Sequence, residues 1–226
     1  MKLRQQLPVL SPIEPSALVG ALAPMLTASA APLHALSATL RERHGATTVV
    51  LTDSGTSALI VALRIAAGKR GTVAFPGYAC IDLAAAARFA NVKVRLYDVQ
   101  PSTLSPDLDS LRATLRRGVN AVVVAHLFGY PADVPAVTAL AREEGAAVIE
   151  DAAQSAGGSL GGKRLGSLGA LSLLSFGRGK GMTGGNGGAL MATDPEWNRA
   201  LGDAGAALGT LRAGWPDLAV AAAQWA

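Results

Sequence analysis

Seven short runs of β-branched and apolar residues alternate along this chain with stretches whose apolar positions recur three or four apart. The runs fall at 47–52, 72–75, 93–97, 120–125, 146–150, 171–175 and 188–192, and the helical stretches at 34–43, 56–67, 81–89, 107–117, 133–144 and 196–209. A continuous apolar run suits a strand buried on both faces, whereas a 3.6-residue period suits a helix with one buried stripe. Alternation of the two predicts an α/β fold, a mostly parallel seven-stranded sheet flanked by helices. The rhythm breaks once: Gly157 to Leu168 carries no helical pattern and reads as a Gly-rich turn region joining the fifth and sixth strands.

Half of the 226 residues are apolar and only 16% are charged, which suits one globular core rather than a disordered chain. The formal charge of +4 is spread as single residues and short pairs such as Lys69-Arg70 and Arg116-Arg117, not as the basic stripe that a nucleic-acid partner requires. Cys80, the single cysteine, excludes an internal disulfide framework and multi-cysteine zinc spacings, so no metal is expected and a reducing cytoplasm fits. Pro15 to Leu40 lacks Asp, Glu, Lys and Arg and is long enough for a membrane span, but Pro24, Pro32, His34 and five Ser/Thr residues argue against one. The opening Met1-Lys2-Leu3-Arg4 is followed by Pro8, Pro12, Glu14 and Pro15, which interrupt the apolar run of a signal peptide.

Three segments carry chemistry. Asp53-Ser54-Gly55-Thr56-Ser57-Ala58-Leu59 lies where a strand gives way to a helix. Unpaired N–H groups and the positive dipole end favour a phosphate there, although the same residues also make an ordinary N-cap. Val148-Ile149-Glu150-Asp151-Ala152-Ala153-Gln154 delivers two carboxylates at the carboxyl end of an apolar strand, the edge at which open α/β sheets bind ligands. An Asp there can keep a pyridine nitrogen protonated; alternatively the pair caps a turn or faces solvent. In Ser175 to Gly188, seven of the twelve residues from 177 onward are Gly, so the backbone can approach a ligand closely around Lys180. Such a lysine suits a Schiff base with a cofactor aldehyde. Two nucleotide motifs match only in form: Gly179-x-Gly181-x-x-Gly184 precedes an apparent strand instead of a helix, and Gly157-x4-Gly162-Lys163 continues with Arg164 where Ser or Thr would hold magnesium.

Together these segments resemble the DegT/StrS-type sugar aminotransferase family of the pyridoxal-phosphate-dependent fold type I superfamily. Ser54 to Leu59 is similar to the family's phosphate loop and Phe75-Pro76-Gly77-Tyr78 to its second-strand motif. Ala125 to Asp133 (AHLFGYPAD) resembles its HLYGxPAD signature, Glu150 to Gln154 its EDAAQ, and Ser175 to Lys180 its Ser-to-Lys spacing. The resemblance implies a PLP-dependent transferase-like large domain and pyridoxal 5'-phosphate as cofactor. It implies Lys180 and Asp151 as catalytic residues, the first bonded to the cofactor and the second paired with its ring nitrogen. Gln154 falls near the cofactor's phenolic oxygen, and Thr56, the backbone of Gly55 and Ser57, and the Ser175 hydroxyl fall at its phosphate. Family members with His in place of the lysine are dehydratases, so Lys180 favours transamination.

Cys80 departs from the pattern, standing where many members place an aromatic ring over the cofactor; read by itself it is a buried small hydrophobe. His126 and Tyr78 could line the pocket, but a His ending a buried strand is as easily a satisfied core residue, and neither carries a role. The implied organisation is an N-terminal arm and first helix over 1–34, a cofactor-binding large domain over 35–210, and the start of an interdomain helix over 211–226 that stops before a small C-terminal domain. The implied partners are a nucleotide-linked keto sugar, an amino acid donor such as glutamate, and a second copy in a homodimer. Two other readings stay open: an NAD(P)- or nucleotide-binding α/β module, and an inactive remnant of the aminotransferase.

Overall fold

The computed structural model describes residues 14–26 and 30–208. Of the expected arm and first helix over 1–34, residues 1–13 and 27–29 lie outside the described residues, as does all of the expected interdomain helix over 211–226. The described chain begins with α1 (Pro15–Leu26), α2 (Ala31–His44), β1 (Thr48–Thr52), α3 (Gly55–Ala67), β2 (Thr72–Pro76), α4 (Ile81–Ala90) and β3 (Lys93–Tyr97). It continues with α5 (Leu108–Leu115), β4 (Ala121–Ala125), α6 (Val134–Glu143) and β5 (Ala147–Asp151). The short pair β6 (Ser159–Leu160) and β7 (Lys163–Arg164), then β8 (Leu171–Ser175), β9 (Gly188–Ala192) and α7 (Asn198–Leu208) complete it.

All seven expected strands join one sheet, ordered β1-β9-β8-β5-β4-β2-β3, and the turn region over 157–168 folds its middle into the separate β6–β7 hairpin. The pairs β2·β3, β2·β4, β4·β5 and β5·β8 are parallel, while β9 runs antiparallel to both β1 and β8. Period two sorts the side chains between two cores. Leu173 and Leu190 join the cluster under α3 and α4, whereas Leu174 and Met191 face the opposite side with Leu40 of α2. Val122, Val124 and Val148 meet α5 and α6 on that second side. The strands β8 and β9 are buried throughout, as suits their largely apolar sequences, which only Ser172 and Ser175 of β8 interrupt. At the sheet edge, β3 exposes Lys93 and Arg95, charges that discourage pairing with a further strand.

Local chemistry sets the helix ends. Ser54 caps α3, Asp107 caps α5 and Asp133 caps α6, each side chain accepting a backbone N–H three residues on. Gly45 and Asn91 end α2 and α4 in the left-handed conformation with φ of 62° and 58°. Every strand-to-helix junction of the parallel strands therefore opens at the same, carboxyl, edge of the sheet. The segment after Gly184 enters β9 and no helix, so the Gly179–Gly184 motif lacks the strand–turn–helix setting of a dinucleotide fingerprint.

Candidate active site

At the carboxyl edge of the sheet lies a cleft. Gly55, Thr56, Cys80, Asp151, Gln154, Ser175 and Lys180 all border it, brought together from β1, β2, β5, β8 and the loop after β8. Ser57 does not border it: its N–H donates to Ser54 Oγ at 3.1 Å and its hydroxyl lies 3.0 Å from the same oxygen, so it is committed to the helix cap. The first turn of α3 thus presents Gly55 and Thr56 to the cleft at its positive end.

Two glycines permit the convergence. A Cβ on Gly55 would come within 2.7 Å of Ser175 Cβ, and one on Gly188 within 2.6 Å of the Ser54 carbonyl. The β1–α3 turn, the end of β8 and the start of β9 therefore touch at backbone distance. Beyond Ser175 the Gly-rich loop is closed by its own bonds: Phe176 N–H donates to Gly187 O and Gly184 N–H to Phe176 O, both at 2.9 Å. The Thr183 hydroxyl reaches the carbonyls of Phe176 and Gly177 at 3.3 Å. Lys180 sits in a turn of this loop, its N–H 3.3 Å from Gly177 O.

The adjacent carboxylates of β5 point to opposite faces and meet opposite environments. Asp151 lies at the cleft with its Oδ1 accepting Ala153 N–H at 3.0 Å. Burial pushes its carboxyl above the usual carboxylate range, against the Ala153 bond and the positive charge of Lys180. Glu150 is fully buried on the other face and accepts from His126, Gly166, Leu168, Gly169 and Ser172. Burial would raise its carboxyl too, but the bonds from His126 and the Gly166 and Gly169 N–H groups outweigh it and hold the group below the usual range. Neither faces solvent, and Asp151 bonds the turn that follows it through Ala153 N–H.

Gln154 Oε1 accepts Phe128 N–H at 2.7 Å, which leaves its amide nitrogen as the donor available to the cleft. His126 is a satisfied core residue that also contributes to the cleft wall. Cys80 corrects an expectation: it is exposed, because it stands in extended conformation as the residue preceding α4, where the chain leaves the sheet. Its thiol lies 3.5 Å from Asp82, a cleft-lining carboxylate in the first turn of α4 that sequence reasoning missed. The available signal was an acidic residue two positions after a site candidate at a helix start. Tyr78 is exposed outside the cleft, its ring centroid 6.3 Å from that of Phe128. Among the described residues no group of His, Cys, Asp and Glu is placed to hold a metal ion, and no helix is long and apolar enough to cross a membrane.

The model of the DegT/DnrJ/EryC1/StrS aminotransferase family matches residues 26–203. A UDP-N-acetyl-3-dehydro-alpha-D-glucosamine 3-aminotransferase of Acidithiobacillus ferrooxidans is 33% identical over 150 residues, 66% of this chain and 41% of that protein. An L-glutamine:2-deoxy-scyllo-inosose aminotransferase of Streptomyces kanamyceticus is 32% identical over 66% of this chain and 35% of its own length. The chain thus spans less than half the length of these relatives. Among solved structures, the sugar aminotransferase CalS13 from Micromonospora echinospora is 27% identical with a TM-score of 0.78, covering 86% of this chain and 56% of that one. The fold alone is shared with 3-amino-5-hydroxybenzoic acid synthase, at TM-score 0.80 and 24% identity over 88% of this chain and 53% of that one. The strand-ending Asp151, the loop around Lys180 and the extent of the family match lead to one conclusion: this chain belongs to the DegT/DnrJ/EryC1/StrS aminotransferase family.

Proposed function

We propose that this chain forms the cofactor-binding part of an aminotransferase that carries an amino group from an amino acid, glutamate, to the keto group of a nucleotide-linked sugar. Membership of the family implies pyridoxal phosphate as the cofactor, and the cleft fits it on a specific observation. Asp151 is a buried carboxylate pushed upward by burial, its Oδ1 accepting Ala153 N–H, with Lys180 bordering the same cleft. Such a group gains from a cationic ring nitrogen beside it. The relatives named for UDP-linked and dTDP-linked sugars support the substrate class.

In this reading Asp151 holds the proton on the ring nitrogen, and the Gln154 amide nitrogen donates to the phenolic oxygen. Thr56, the backbone at Gly55 and the Ser175 hydroxyl bind the phosphate at the positive end of α3. Ser57 contributes through its place in the first turn, since its own N–H is bonded to Ser54. Lys180 holds the cofactor and, once released, moves a proton at its Nζ as general acid and base. When bound, pyridoxal phosphate supplies an electron sink for negative charge developing at a substrate carbon. A homodimer belongs to the same proposal, with Tyr78, Ile81, Phe128 and Tyr130 as exposed apolar surface that it would cover.

The experiment is borohydride reduction of the cofactor-loaded chain followed by peptide mapping, together with an amino-transfer assay on nucleotide-linked keto sugars. A pyridoxyl group on Lys180 is expected; one on Lys163 or Lys69 overturns the assignment.

A further inference from the structure

Glu150 does not border the cleft, yet five donors converge on its buried carboxylate. Oε1 accepts His126 Nε2–H at 2.9 Å and Gly166 N–H at 2.6 Å. Oε2 accepts Leu168 N–H at 2.6 Å, Gly169 N–H at 2.9 Å and the Ser172 hydroxyl at 2.9 Å. The direction of the His126 bond follows from the other side of the ring: Ala132 N–H donates to Nδ1 at 3.0 Å, so the ring proton is on Nε2 and points to Glu150. The imidazole is thereby fixed at both nitrogens, and with it the turn from His126 to Ala132.

That turn reaches the cleft. Phe128 within it holds a left-handed conformation, φ 56° and ψ 19°, which costs a bulky residue energy and persists only under external constraint. The strain places its N–H on Gln154 Oε1 at 2.7 Å, and the next residue, Gly129, packs so closely that a Cβ there would lie 3.3 Å from the Gln154 carbonyl. A second arm runs through Ser172 into β8, whose last residue, Ser175, borders the cleft.

We propose that Glu150 is a positioning residue of the site: through His126 it holds the strained turn at Phe128 that orients the Gln154 amide, so that Gln154 meets a ligand as a hydrogen-bond donor. The inference rests on reading the cleft as the cofactor site, but its first readout does not need the cofactor.

The test is Glu150→Gln in the full chain, with Ser172→Ala for comparison. The glutamine is isosteric, yet every partner of Glu150 is a donor. Its NH2 group must therefore oppose either His126 and Gly166 or Leu168, Gly169 and Ser172. In the cofactor-free chain, nitrogen-15 NMR reads the Gln154 side-chain NH2 pair, assigned by its loss in Gln154→Ala, and the Nε2–H pattern of His126. In Glu150→Gln both signals are expected to shift toward those of free side chains, and the Kd for pyridoxal phosphate to rise about tenfold or more. Ser172→Ala removes one bond on the far side, so it should lower Tm and leave both signals in place. A Glu150→Gln chain with lowered Tm but unmoved Gln154 signals and Kd overturns the proposal. Should that variant not fold, His126→Phe, which leaves four of the five bonds, decides in the same way: an unmoved Gln154 pair overturns it. If the unsubstituted chain binds no pyridoxal phosphate, the cofactor reading fails while the NMR comparison still decides this one.

Discussion

Gly55→Ala adds a single methyl group at the point where helix α3 meets strand β8. The added Cβ would stand 2.7 Å from Ser175 Cβ, 3.0 Å from its Oγ and 3.4 Å from its Cα. Carbon atoms rest about 3.5–4.0 Å apart, so the two elements must separate by about 1 Å. Ser175 has little room to retreat, because β8 is buried throughout and held in register by β9, with Ser175 opposite Gly188. Overpacking of this kind costs about 1–3 kcal/mol. Alanine returns at most about 1 kcal/mol of helix propensity, and less at the first position of a helix than in its interior. A net loss of about 1–2 kcal/mol lowers Tm by about 2–8 °C for a chain of this size. Thermal unfolding followed by circular dichroism measures it, and a titration with pyridoxal phosphate reads the cleft, where weaker binding is expected. Gly177→Ala is the control, since its nearest atom is Ser175 Oγ at an ordinary 3.6 Å. Removing the opposing atoms in Gly55→Ala/Ser175→Gly should show a coupling of about 1 kcal/mol between the two sites. A Gly55→Ala chain as stable as the unsubstituted one, or effects that simply add, would refute the steric reasoning.

Asp151→Asn is expected to stabilise the cofactor-free chain while weakening cofactor binding. Because burial raises the folded-state pKa of Asp151, the protonated acid's contribution is fully present below the unfolded value of 3.8 and is lost as pH rises through the folded one. The Asn variant should therefore have the higher Tm at neutral pH, with the difference closing below about pH 4, the ordinary range of an aspartate; a lower Tm at neutral pH contradicts the environment described for Asp151. Cys80→Phe places a ring at an exposed position on the cleft wall. Pyridoxal phosphate affinity should rise several-fold by fluorescence titration, as stacking is worth about 0.5–1.5 kcal/mol, and unchanged affinity would mean that this position does not face the ligand.

The strands were legible because most are short apolar runs, and β8 and β9 are buried on both faces. That Lys180 and Asp151 lie at the cleft was legible because a Gly-rich loop and a strand end are local signals. The order of the strands was not: β1 pairs with β9, at the far end of the chain, and no local pattern announces that partner. Glu150 was named only as one of a pair, since four of its five donors come from 16 to 22 residues downstream, beyond a hairpin of two-residue strands too short to carry a period, and the fifth, His126, from 24 residues upstream. Cys80 was misjudged because composition predicts cysteine burial on average, whereas its exposure depends on where α4 begins.

The reversed direction of β9 has a consequence for how this site can change over evolutionary time. Since Ser175 and Gly188 are registered neighbours, the twelve residues between them leave and re-enter the sheet at adjoining points. Lengthening such a loop costs little, about 0.6 kcal/mol for each doubling. Insertions and substitutions around Lys180 can therefore accumulate without disturbing a strand pairing. The rigid sheet keeps the anchor points constant, and the loop is left as the region where new substrate preferences can be tried.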